Sequence, residues 1–467
     1  MPLHEATAAE DGHDLSVNPL YVQLDELPVS RHAMPHRGML PDTALQVVRD
    51  ELILDGNARL NLATFVTTWM EPQAQQLMAE CFDKNMIDKD EYPQTAELER
   101  RCVSIIADLW HAPAAAPAAT GCSTTGSSEA CMLGGMALLW RWRARRAAAG
   151  ASVAAPNLVM GANVQVCWEK FCRYWQVEPR LVPMAPGRLH LTGPTAAARC
   201  DENTIGVVAV MGSTMDGSYE PVQQISEELD QLQADHGHDV PIHVDGASGG
   251  FVAPFLHQGL QWDFRVPRVA SINASGHKYG LVYPGVGWVV WRDASALPDD
   301  LIFRVNYLGG EMPTFALNFS RPGSQVAAQY YNFLRLGFEG YRRVQQSSQD
   351  IAMHLAAQIG AMGPFELLTD GSDLPVFAFR LRDPGTYTVF DLSERLRQRG
   401  WLVPAYTFPA DLQDMAVLRI VVRNGFSMEL ADDLIADLQT QVDVLAAHPT
   451  PPVPLFPEGV PRGGFAH

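Results

Sequence analysis

From residue 60 to about 322 the chain alternates short β-rich runs with helical patterns, and this alternation restricts its possible folds more than any other property. The runs at 157–161, 204–211, 241–244 and 286–291 are too short for buried helices and rich in β-branched or aromatic residues. Strands separated by helices imply βαβ units around a largely parallel sheet, an α/β domain. Residues 324–341 then read as one long helix. Helical and strand patterns over 375–381, 390–400, 417–423 and 428–445 suggest a smaller α+β domain.

The expected organisation is an N-terminal arm with one helix over 1–60, a large domain over 61–345, a small domain over 346–448 and a tail over 449–467. The arm is rich in Pro, His and acidic residues around one amphipathic stretch at 41–54, and arms of this kind pack on a partner subunit. Its acids and histidines (His4, Glu5, Glu10, Asp11, His13, Asp14) could respond to protonation, although Pro2 and Gly12 weaken any helix there. In the tail, Pro449, Pro451, Pro452, Pro454, Pro457 and Pro461 exclude regular helix.

With 34 Lys and Arg against 53 Asp and Glu, the net charge of -19 repels nucleic acid and anionic lipid surfaces. Seven cysteines without a CxxC argue against a disulfide framework or a zinc site, and no metal is expected. The first residues carry acids and no apolar core, and no uncharged run approaches the ~20 residues of a membrane span. A cytoplasmic protein without stable membrane insertion fits these properties.

Three elements carry chemistry. Ser275-Gly276-His277-Lys278-Tyr279-Gly280 presents one lysine in a small-residue turn after a probable strand at 269–273. A lysine that reacts with a carbonyl must be neutral part of the time, and burial achieves that. Asp245 ends an apolar strand and is followed by small residues, where a carboxylate faces the ligand crevice of a parallel sheet; alone it could equally cap the next helix. The 33 residues between Asp245 and Lys278 allow one crossover between neighbouring strands. Gly126-Ser127-Ser128-Glu129 opens a helix, whose free N–H groups and dipole favour a phosphate, although a plain Ser cap would look the same.

In this order the three elements resemble the fold-type I pyridoxal-phosphate decarboxylases. Residues 60–65, 85–93 (Asn-Met-Ile-Asp-Lys-Asp-Glu-Tyr-Pro), 110–113 (Trp-His-Ala-Pro) and 316–322 (Ala-Leu-Asn-Phe-Ser-Arg-Pro) bring the resemblance closer to the bacterial and plant glutamate decarboxylases, over about 50–447 and the last few residues. The resemblance implies a large, mostly parallel seven-stranded sheet flanked by helices, with a smaller α+β C-terminal domain. It also implies pyridoxal 5'-phosphate as cofactor, L-glutamate as substrate, and γ-aminobutyrate and carbon dioxide as products, with a proton consumed. A homodimer at least is implied, with a homohexamer as the larger alternative. No basic, Trp-bearing C-terminal helix for calmodulin is present.

Residue by residue, the resemblance makes Lys278 the covalent anchor of the cofactor and gives its phosphate to Ser127, Ser128 and His277, with Ser320 reaching in from the other subunit. Asp245 takes the pyridine nitrogen, Gln165 lies over the ring, Thr214 sits beside the ring oxygen, and Ala247 and Ser275 complete the cofactor site. Gln165 favours glutamate, since many relatives with other substrates have a stacking His there. Thr64, the Phe65 backbone, Asn85 and Asp88 would hold the distal carboxylate, partly across the dimer interface; without the resemblance, Asn85 and Asp88 read as helix caps. An Asp facing a carboxylate must share a proton with it, which predicts an acid optimum. Arg423 would clamp a substrate carboxylate bidentately. The family has Arg-Arg-Gly-Phe where this chain has Arg423-Asn424-Gly425-Phe426.

Lys278, His277 or Tyr307 could return the proton to Cα, and Tyr307 lies before two glycines that suit a closing loop. The ending Gly463-Gly464-Phe465-Ala466-His467 resembles acid-responsive bacterial tails whose histidine plugs the site near neutral pH. Here that histidine, His467, is last and carries a free carboxylate. Two rival readings stand beside this one: a related decarboxylase or lyase with another amino-acid substrate, and a silent homologue with an assembly role.

Overall fold

The computed structural model describes residues 32–35, 38–113, 119–306, 312–383 and 385–448. It divides into a unit ending at Gly56 and a unit beginning at Asn57. In the first, helix α1 (Pro41–Leu52) starts on a proline, which suits a first-turn position that needs no N–H. Its Leu45, Val48 and Leu52 form an exposed apolar stripe at helical spacing.

The second unit is built on a seven-stranded sheet. Its strands are β1 (Thr120–Thr124), β2 (Asn157–Gly161), β3 (Glu178–Val182), β4 (Thr204–Val210), β5 (Ile242–Asp245), β6 (Val269–Ala274) and β7 (Gly287–Trp291), in the order β1-β7-β6-β5-β4-β2-β3. Neighbours are parallel except where β7 pairs with β1 and β6. The expected large, mostly parallel sheet is therefore present. Strands β2, β4, β5, β6 and β7 are buried along their whole length, and β2, β4 and β7 accordingly run mostly apolar instead of alternating with polar residues.

Side chains still alternate between two cores. Leu158, Met160, Val208 and Val210 point to one side, against α4 (Ser127–Ala148) and α5 (Val166–Trp175). Val159, Val207, Ala209 and Val244 point to the other. There they meet α2 (Pro72–Glu80), α3 (Pro93–Leu109) and α7 (Val222–His236). Short helices α6 (Gly193–Ala197) and α8 (Ala253–Leu256) link strands, and β8 (Phe303–Val305) pairs with β9 (Met312–Thr314) as a separate hairpin.

The helix expected at 324–341 is longer. It runs as α9 (Ser324–Ala361), interrupted at Gly337, whose φ of 57° and ψ of -173° only a residue without a Cβ adopts easily. The second part of α9 packs with α10 (Val389–Gln398) and α11 (Met428–Ala447) on an antiparallel sheet of β10 (Phe365–Leu367), β11 (Val376–Leu381), β13 (Ala416–Val421) and β12 (Ala405–Thr407). The chain just after Asn57 joins this smaller layer. Leu62 N–H donates to Leu402 O at 3.0 Å and Val421 N–H to Leu62 O at 3.0 Å. Among the described residues no helix is long and apolar enough to cross a membrane.

Candidate active site

The carboxyl ends of β1, β4, β5 and β6 open on one edge of the sheet, and the chemistry expected from the sequence gathers there. Strand β1 leads through Gly126 into α4, whose first turn has no side-chain cap. Its N–H groups therefore point outward with the positive end of the helix dipole. Ser127 Oγ lies 2.7 Å from Ser275 Oγ, and Ser128 is on the exposed side of the same turn. A Cβ on Gly126 would come within 2.9 Å of His277 Cε1, so only glycine lets this ring approach the helix end. His277 Nδ1 is buried with no partner. Burial, reinforced by Lys278, pushes its imidazole down to about 4, so the ring is neutral. Spare N–H groups, two hydroxyls and an unpartnered ring nitrogen make a donor set that fits a phosphate.

Lys278 is half-buried in the turn after β6. Its Nζ donates to Ser248 Oγ at 3.3 Å and stands 5.2 Å from the centroid of the Phe65 ring. Burial lowers its pKa, and Asp245 partly opposes that shift. The amine is thus pushed toward the neutral form a nucleophile needs. Its backbone is fixed: Thr67 Oγ1 donates to Lys278 O at 2.6 Å, and Thr67 N–H to His277 O at 2.7 Å.

Asp245 ends β5 at 4% exposure. Trp168 Nε1 donates to its Oδ2 at 2.8 Å, while Asn273 Nδ2 and Ala247 N–H each donate to Oδ1 at 3.1 Å. The carboxylate is thus held at both oxygens, with its strand aimed at the sheet edge. Cys131, Cys167 and Asp245 also bring possible metal-ligand atoms within 4.8 Å of one another. Those carboxylate oxygens are already engaged, and burial holds the Cys131 thiol well above its ordinary pKa, so the group is better suited to hydrogen bonding than to an ion.

Sequence reading missed several of these partners. Trp168, Asn273 and His243 lie around Asp245; for Asn273 and His243 the available signal was a polar residue inside a wholly buried strand, whereas Trp168 on α5 gave none. Arg419 was also missed. Its guanidinium lies 4.9 Å from the Phe65 ring, on which Lys278 also converges, and it donates to Thr214 O and, at 2.7 Å, to Ala63 O. Thr214, Phe65 and Lys278 are thereby tied to one cluster.

Other expected residues are engaged differently. Arg423, 7% exposed, donates to the carbonyls of Val66 (2.9 Å), Asn61 (2.5 Å) and Ala58 (3.3 Å) and to Thr68 Oγ1 (2.7 Å). Only its Nε is without a partner, so a substrate clamp would begin there. It also lines a cavity of about 290 Å³ with Arg59, Trp69 and Asn424. Gln165 caps α5, its Oε1 accepting from Cys167 N–H at 2.7 Å. Thr64 Oγ1 accepts from Val66 N–H at 3.1 Å in a local turn.

Asn85 and Ser320 form a second group. Asn85 Nδ2 donates to Ser320 Oγ at 3.3 Å, and Arg321 N–H returns to Asn85 Oδ1 at 3.2 Å. Asp88 follows Asn85 in the same turn, its N–H donating to Asn85 O at 3.1 Å. Among the described residues no hydrogen bond joins this group directly to Lys278. Glu129, in the first turn of α4, binds the adjacent loop by accepting from Leu317 N–H (3.0 Å), Asn318 N–H (3.1 Å) and Asn318 Nδ2 (3.0 Å). Tyr307 and His467 lie outside the described residues.

The model of the pyridoxal-dependent decarboxylase conserved domain matches residues 34–382. A glutamate decarboxylase of Aliivibrio fischeri is 55% identical over 454 residues, covering 96% of this chain and 97% of that one. Glutamate decarboxylase 5 of Arabidopsis thaliana is 52% identical over 411 residues, 88% of this chain and 83% of that one. The solved glutamate decarboxylase of Lactobacillus brevis superposes with a TM-score of 0.86 at 48% identity, covering 89% of this chain and 95% of the other.

Proposed function

The chain belongs to the pyridoxal-dependent decarboxylase family, with pyridoxal 5'-phosphate as its cofactor, and we propose that it converts L-glutamate to γ-aminobutyrate and carbon dioxide. The observation that carries this reading is its similarity to glutamate decarboxylases along nearly the whole of both chains. The Lys278, Asp245 and α4 cluster supports it independently.

When bound, the cofactor supplies the electron sink for the pair left by the departing carboxylate. Lys278 is its covalent anchor, with the amine kept reactive by burial. Asp245 would pair with the pyridine nitrogen and keep it protonated. Ser127, Ser128 and His277 would bind the phosphate from one subunit and Ser320 from the other, with Ser275 completing the cofactor site. Gln165, Ala247 and Thr214 would complete the site around the ring.

Thr64, the Phe65 backbone, Asn85 and Asp88 receive the distal carboxylate of glutamate, and Arg423 binds a substrate carboxylate. The hydrogen bond between Asn85 and Ser320 supports their acting together across a dimer interface. Lys278, His277 and Tyr307 are the three groups proposed to deliver the proton to Cα. An acid optimum follows if Asp88 shares a proton with the substrate.

Near neutral pH the tail ending in His467 closes the site. Removing residues 453–467 then extends activity toward neutral pH, and an unchanged pH profile contradicts that part of the proposal. For the reaction itself, a screen of amino acids for carbon dioxide release should single out L-glutamate. Equal release from an aromatic amino acid would overturn the substrate assignment.

A further inference from the structure

Behind Asp245 lies a line of buried polar side chains with no assigned role. His243, two residues earlier on β5, is fully buried, as are Ser271 and Asn273 on the neighbouring β6. Its Nδ1 is 2.7 Å from Ser271 Oγ and its Nε2 is 2.8 Å from Asn273 Oδ1. Asn273 Nδ2 in turn donates to Asp245 Oδ1.

The proton positions follow from these contacts. An ionised carboxylate only accepts, so Asn273 must turn its amide N–H to Asp245 and its oxygen to His243. Nε2 must then carry the hydrogen. Nδ1 is left with a lone pair, and Ser271 Oγ–H donates to it. Burial favours the neutral ring this requires.

The niche around His243 is shaped for it. Gly134 on α4 leaves room for it, because a Cβ there would lie 2.4 Å from His243 Cε1. Trp168, the other donor to Asp245, packs edge-on to the ring with centroids 5.0 Å apart. Cys131, one turn before Gly134, has its Sγ 3.5 Å from Asn273 Oδ1 and 3.6 Å from Asp245 Oδ2. The helix whose first turn presents Ser127 and Ser128 therefore also packs against this line.

We propose that His243 is a positioning residue: held by Ser271 as the Nε2–H tautomer, it fixes the amide of Asn273 and so aims the Asp245 carboxylate. The inference rests on the reading of Asp245 as the partner of the cofactor's pyridine nitrogen. Without the Nε2 donor the Asn273 amide could flip, bringing its oxygen against Asp245.

The test compares His243→Gln, whose amide nitrogen can stand in for Nε2, with His243→Asn and His243→Leu, which place no donor there. Loss of one buried hydrogen-bond partner corresponds to roughly a 10-fold effect. His243→Leu and His243→Asn should each lower kcat about 10-fold and weaken pyridoxal-phosphate binding by a similar factor. KM for glutamate should stay within about 2-fold, and His243→Gln should recover most of the loss. Equal behaviour of the Gln and Asn variants, or cofactor affinity unchanged in all three, overturns the proposal. Should the variants not fold, nitrogen NMR of wild-type holoenzyme labelled in histidine decides: the Nε2–H tautomer supports it and the Nδ1–H tautomer overturns it. An Asp245→Ala control separates the two layers. Full turnover in that variant sinks the reading of Asp245 itself, whereas its loss beside wild-type His243 variants sinks only the relay.

Discussion

Replacing Gly134 by alanine sets two effects of opposite sign against each other. In an unpacked helix interior the change stabilises by about 1 kcal/mol, because glycine loses more backbone entropy. Here the new Cβ would lie 2.4 Å from Cε1 and 2.6 Å from Nδ1 of His243. Ordinary contact needs roughly 3.5 to 4 Å, so the ring must retreat by about 1 Å. Its two hydrogen bonds are 2.7 and 2.8 Å long. A retreat along either bond takes it to about 3.7 Å, beyond useful range. Overpacking costs about 1 to 3 kcal/mol and an orphaned buried group about 1 to 3 more. Less the helix gain, Gly134→Ala should destabilise by about 1 to 5 kcal/mol.

The assay is the urea midpoint of the holoenzyme followed by circular dichroism. A second arm makes the sign decisive: in a His243→Ala background the same change should become stabilising by about 1 kcal/mol, since the obstacle is gone. A wild-type midpoint for Gly134→Ala alone, or destabilisation of the same size in both backgrounds, would refute the packing of α4 on β5 described above.

Three other perturbations have definite outcomes. Glu99→Ala leaves the buried Arg321 without its 3.1 Å carboxylate partner, and strips Ser123 N–H and Oγ of theirs; a loss of about 3 to 5 kcal/mol in denaturant titration is expected, and less than 1 would mean water already reaches the pair. Arg423→Lys cannot span the four acceptors of the guanidinium, so it should lower stability by about 2 to 4 kcal/mol as well as raise KM, and an unchanged melting profile contradicts the structural part. His277 has its pKa lowered from 6.5 to about 4, so between those values the unfolded chain binds a proton that the folded apoprotein does not. Stability of the apoprotein should therefore rise with pH across that window, with the slope reduced in His277→Asn; equal slopes would count against a buried neutral ring.

The sheet was legible because its strands are short and several, such as β4 and β7, are mostly apolar, and β2 falls where the 157–161 run lay. The continuation of α9 past residue 341 was not, because its next buried positions carry the polar Gln345, Ser348 and Gln349, which break the apolar period. Lys278, Asp245 and Ser127 stand out in sequence, since each is a reactive or polar group beside small residues at an element's end. Their supports do not. Trp168 and Asn273 look like ordinary members of a helix and a strand until folding brings them, 77 and 28 residues from Asp245, to its two oxygens. Arg423 shows the opposite difficulty. Its strand-end position suggests a ligand clamp, yet three of its four hydrogen bonds go to the chain's own carbonyls, because residues 58–68 fold across it.

The proposed glutamate decarboxylation depends on Lys278 as the anchor of pyridoxal phosphate. Its most direct test follows purified wild type and Lys278→Ala, each supplied with the cofactor, by visible absorbance and by γ-aminobutyrate formed from L-glutamate. Wild type should show both the bound-cofactor absorbance and the product, with carbon dioxide in equal amount, and the variant neither. A coloured Lys278→Ala protein that still turns over glutamate would overturn that role for Lys278.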